Sequence, residues 1–69
     1  SDNGIAALYS RHGETERATA LYLKVLDNHA IADGIRWQAF RALTNSGEYD
    51  RIRELCEKYL DEFIKTDPK

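Results

Sequence analysis

The sequence predicts an all-α fold of four antiparallel helices, arranged as two stacked helix-turn-helix hairpins. Apolar residues recur at steps of three and four along most of the chain, which marks one stripe of a 3.6-residue helix and not the alternation of a strand. Only four glycines and one proline punctuate 69 residues, so the periodic segments run long. Residues 13–27 also match residues 47–61 at seven of 15 positions, so the chain reads as two units offset by 34 residues.

The first helix, near 3–12, carries Ile5, Leu8, Tyr9 and His12 on one stripe. Ser1, Asp2 and Asn3 are all competent N-caps for it, and Gly13 can take the left-handed conformation that closes it. The second, near 14–28, has Ala18, Leu21, Tyr22, Val25 and Leu26 in register and is interrupted at Asn28-His29. The third, near 33–45, carries Ile35, Ala39, Ala42 and Leu43, starts at Asp33 and ends at Asn45-Ser46-Gly47. The fourth, near 48–65, repeats the stripe with Ile52, Leu55, Cys56, Tyr59, Leu60 and Phe63, and stops at Thr66-Asp67-Pro68. The expected core is Ile5, Leu8, Tyr9, Ala18, Leu21, Tyr22, Val25, Leu26, Ala39, Leu43, Ile52, Leu55, Cys56 and Tyr59.

A chain of this length makes one domain, spanning 1–69, and buries only about 60% of its unfolded surface. Its 42% apolar content supplies a small core, while 32% charged residues leave no run of roughly 20 apolar residues for a membrane span. The net charge of −2 runs against a dedicated nucleic-acid binder. The single Cys56 excludes an internal disulfide and a cysteine-rich zinc site. No basic segment followed by an apolar run opens the chain, which points to a cytoplasmic location. The chain holds no Met and opens almost inside its first helix, which suggests a domain excised from a longer chain, or a processed one.

The 34-residue unit resembles the tetratricopeptide repeat. In the first unit, about 1–32, Ala6 and Tyr9 hold the family's small and aromatic positions, Gly13 its turn, and Ala18 with Tyr22 its A-x-x-x-[F/Y] signature. The second unit, about 33–66, keeps Gly47 and Tyr49 at the turn. It departs elsewhere, with Phe40 at the small position, Ile52 and Cys56 at the signature, and Trp37 one place from the family's usual tryptophan. Ala30 stands where the family has an inter-repeat proline. The rhythm is also similar to the tetratricopeptide-like domain of some bacterial transcriptional activators. Between the units, Ala20 and Leu23 align with Glu54 and Glu57, which suits the fourth helix to a solvated cap. Phe63 and Ile64 stay apolar near the end of that helix and are suited to docking on something further, such as a second copy.

The resemblance implies a non-enzymatic protein-protein interaction or scaffolding module. It would hold a partner peptide or helix on the face of the first and third helices. Carried over position by position, that face shows Ala7, Ser10, Arg11, Trp37, Arg41, Thr44 and Asn45. Trp37, Arg41, Thr44 and Asn45 share one helical face on spacing alone, and a Trp with an Arg one turn on has the composition of a binding hot spot. Packing of Trp37 against the second or fourth helix, with Arg41 solvated, is the competing reading. The family's carboxylate clamp is largely missing, since its places hold Asn3, Ala7 and Gln38. The alternatives in function are a homodimerising domain of a larger regulator, or an RNA-binding hairpin repeat like the pentatricopeptide family.

Convergent chemistry is scarce. His12 and His29 sit on different elements with no third ligand at metal spacing, and neither a phosphate loop nor a nucleophile elbow occurs. Cys56 falls on the core stripe, where burial makes a thiol inert. Glu14, Glu16, Glu48 and Asp50 are explained by helix-dipole compensation in first turns. The expectation is no enzyme, no metal and no cofactor.

Overall fold

The computed structural model describes residues 1–66 and is all-α among them: α1 (Asp2–Arg11), α2 (Thr15–Asp27), α3 (Asp33–Thr44) and α4 (Arg53–Thr66). The expected stop at Asp67-Pro68 lies outside the described residues. α1 pairs with α2, α3 packs on α2 and touches α1, and α4 packs on α3.

Sequence chemistry explains most of the boundaries. Ser1 caps α1 by accepting from the Gly4 N–H at 3.3 Å, satisfying one of the donors that a helix start leaves free. At the other end Gly13 takes φ +79°, a left-handed turn that costs a residue with a Cβ about 1 kcal/mol or more. The Glu14 N–H then bonds the Tyr9 carbonyl and the Gly13 N–H the Ser10 carbonyl, the paired bonds of a Schellman closure. This tight stop folds α2 straight back on α1.

The corresponding turn of the second hairpin is built differently. Gly47 lies outside the left-handed region. Ser46 instead donates through Oγ to the Leu43 carbonyl at 2.9 Å and accepts the Glu48 N–H at 3.2 Å. The chain then makes successive turns over 48–52, and α4 starts at Arg53 and not at the expected Glu48. Arg51 pins that stretch through a two-pronged bond to Glu48 at 2.8 and 3.0 Å, which holds the Glu48 carboxyl below its usual value.

One core joins all four helices: Ala6, Ala18, Tyr22, Val25, Leu26, Ala39, Phe40, Leu43, Ile52, Cys56 and Tyr59. Leu26 and Leu43 are its largest fully buried side chains, each contributing roughly 1.5–3 kcal/mol on burial. Tyr9 and Leu21 pack half-buried against it. Three expected core residues are not in it, because Ile5, Leu8 and Leu55 are exposed. Ile5 and Leu8 stand 48% and 49% exposed on α1. On α3 the buried stripe is Arg36, Ala39, Phe40 and Leu43, rotated from the expected Ile35, Ala39, Ala42 and Leu43.

Candidate functional site

Burial of Arg36 is the least expected feature of the fold, and it sets the geometry around Trp37. The residue is 5% exposed, and its guanidinium donates through Nε and Nη2 to the Leu26 carbonyl, at 2.9 and 2.6 Å. That carbonyl lies in the last turn of α2, where no intrahelical N–H can reach it. Nη2 also meets Glu62 of α4 at 3.3 Å, Nη1 lies 3.6 Å from Asp33, and the group sits 5.5 Å above the Phe63 ring. One side chain of α3 thereby ties the end of α2 to α4. His29 Nε2 adds a longer contact to Glu62 at 3.8 Å. Close by, Tyr59 of α4 donates its hydroxyl to the Asp27 carboxylate, a second link between α2 and α4.

Phe63 also meets Trp37. The Trp37 ring stacks on Phe40 at 5.3 Å and meets Phe63 edge-on at 5.1 Å, while Phe40 and Phe63 are 5.8 Å apart. Trp37 therefore turns toward α4, yet 40% of it remains exposed. Between α3 and α4 it lines an open trough of about 420 Å³ with Gly34, Leu60, Phe63 and Ile64, bounded by Asp33 and Thr66. Gly34 leaves one wall bare, with open space where a Cβ would project. A smaller, charged hollow formed by His29, Arg36, Glu62 and Lys65 adjoins the trough, sharing Asp33, Phe63 and Thr66 with it.

The residues expected to form one binding face fall on α1, on α3 and at the α3 C-cap. Ala7 is half-buried on α1, and Arg11 is exposed at that helix's end. Arg41 is exposed on α3. Thr44 spends its hydroxyl on the Arg41 carbonyl at 2.9 Å, and Asn45 caps the helix through its N–H. Only Trp37 of that set lines the trough, and its companions there are Leu60, Phe63 and Ile64. Sequence reasoning missed the part played by Arg36, although Arg36, Ala39, Phe40 and Leu43 form a stripe of steps 3, 1 and 3 as regular as the one expected.

Chemically the trough can bury apolar surface and little else. His12 directs Nδ1 to the Leu8 carbonyl at 2.9 Å at the end of α1, remote in sequence and element from His29. Cys56 is buried and burial pushes its thiol up, the wrong direction for a nucleophile. Among the described residues no three His, Cys, Asp or Glu side chains converge on a common point, and no helix is long and apolar enough to cross a membrane. Compared with protein-family models, curated proteins and solved structures, the chain matches none.

Proposed function

We propose that the chain is a non-enzymatic protein-interaction module of tetratricopeptide-like construction, with the α3/α4 trough around Trp37 as its recognition surface. The observation that carries this reading is the exposure of Trp37, Leu60 and Ile64 together beside a half-buried Phe63. Small proteins rarely leave large apolar side chains grouped without covering them, and Trp is among the residues enriched at the hot spots of protein interfaces. The 34-residue self-match and its tetratricopeptide signature support the same class of function. A partner helix or peptide with two or three apolar side chains on one face suits the trough. The acidic balance of the chain disfavours nucleic acid as that partner.

The test is affinity capture from a lysate of the source cells, with and without nuclease. The parent is compared with Trp37→Ala/Arg41→Glu and with Ile64→Asp, whose side chain is 63% exposed and spares the core. Variants of parental helicity and melting should lose a nuclease-resistant protein partner. Unchanged capture by both would place the surface elsewhere, and capture of nucleic acid alone would overturn the reading.

A further inference from the structure

We propose that the trough is filled by α1 of a second copy of this chain, so that copies stack head to tail. The proposal rests on the reading of the trough as a recognition surface and names its occupant. Its template is the junction inside the chain, where α3 packs on the first hairpin. There Arg36 bonds the Leu26 carbonyl, Asn3 Nδ2 donates to the Ile35 carbonyl at 3.1 Å, and Ala39 and Leu43 become fully buried. The 34-residue register places Trp37 on Asn3, Leu60 on Leu26 and Ile64 on Ala30. On that sequence register the trough corresponds to the surface that receives α3, displaced by one unit.

The register also supplies the helix that fits. α1 aligns with α3, setting Ile5 on Ala39, Leu8 on Ala42 and Tyr9 on Leu43. At two positions where α3 turns small residues inward, α1 holds large apolar ones, 48% and 49% exposed. Larger knobs suit a trough left open by Gly34 and unfilled by its own chain. The polar part of the junction changes consistently. Leu26 needs Arg36 because α2 ends one residue later, whereas α4 runs on to Thr66, so the Leu60 carbonyl lies within the helix. A donor at the α1 position that matches Arg36 is unnecessary, and Asp2 stands there. Arg53 and Glu57 replace Thr19 and Leu23 farther down the same edge, which keeps the association weak and reversible. Two different edges of one chain meet, so the contact is heterologous and can repeat from copy to copy.

Sedimentation velocity over low to high micromolar chain, with Trp37 emission followed across the same series, tests this. Two further variants remove one edge each: Ile5→Asp/Leu8→Asp on α1, and Leu60→Asp/Ile64→Asp in the trough. The parent's average mass should climb with concentration while Trp37 emission shifts to the blue. Each variant alone should stay monomeric, and their equimolar mixture should double in mass and grow no further, since one intact edge of each kind remains. A parent of constant mass overturns the proposal, as does a rising mass that leaves Trp37 emission unmoved, whether or not the variants fold. Self-association of the α1-edge variant would point to a symmetric contact instead. A monomeric parent that still captures a Trp37-dependent protein sinks the stacking alone, and the module reading survives.

Discussion

Arg36 shows how one side chain can decide the local architecture of a small domain. A buried guanidinium is stabilising only when its donors are satisfied, and here the Leu26 carbonyl, Glu62 and Asp33 satisfy them. Arg36→Ala should therefore cost about 3 kcal/mol in urea unfolding, since it strands a buried carbonyl and removes packing under Phe63. Tyr59 gives a prediction with a pH signature. Burial first, and then its bond to Asp27, pushes the phenol well above its ordinary value of 10.0. The stabilisation is complete below about pH 10, where the unfolded phenol is still protonated, and is lost as the pH climbs toward the folded value. Tyr59→Phe should cost about 1 kcal/mol at neutral pH and lose less stability than the parent between pH 9 and about pH 11. Ala18 is buried in the core, and Ala18→Glu should abolish cooperative melting through an unpaired buried charge. A variant that melted like the parent would mean that α2 presents another face.

At the scale of elements, period and punctuation were enough to place four helices, because helix formation depends on spacing and caps that lie within a few residues of each other. The two hairpin turns were less legible. Both read G-E-x-[D/E]-R, yet Gly13 takes the left-handed turn and Gly47 does not. The deciding residue is the one before each glycine: Ser46 reaches back to Leu43 and supplies the bonds that a Schellman closure would make. Gly13→Ala should accordingly cost about 1 kcal/mol, a fall of roughly 4–8 °C in Tm for a domain of this size. Gly47→Ala should stay within about 0.5 kcal/mol of the parent, since open space surrounds its Cβ position. Equal losses in thermal melts of the two variants would contradict the distinction. The rotation of α3 was illegible for a related reason. Two stripes fit its period, and the choice falls to Arg36 and Phe40 because of Leu26, Glu62 and Phe63, partners 10, 26 and 23 residues away along the chain. Whether Trp37 faces a groove or packs against α4 was illegible for the same reason, since its turn toward Phe63 is a tertiary fact with no local signature.

Across the whole molecule, support is uneven. α2 is flanked by α1 and α3, whereas α4 packs on α3 and keeps Leu55, Leu60 and Ile64 exposed. Its attachment relies on a few specific links: Phe63 against Trp37 and Phe40, Glu62 on Arg36, and Tyr59 on Asp27. Segments held by few buried contacts open locally at a free energy below that of global unfolding. Amide hydrogen exchange should therefore show α4 opening through a sub-global step, while the α2 amides of Val25 and Leu26 exchange only on complete unfolding. Phe63→Ala separates this picture from uniform stability. It should lower the protection of α4 by about 2 kcal/mol, red-shift the emission of Trp37, and leave the order of protection within α2 unchanged. Equal loss of protection in α2 and α4 would mean that the helices rise and fall as one unit. A covered trough should reverse the asymmetry, because a helix seated on Trp37, Leu60 and Ile64 gives α4 the second neighbour that α2 already has. Protection of α4 that rises with chain concentration, without a matching rise in α2, is the outcome expected if the open edge of this fold is where its partner binds.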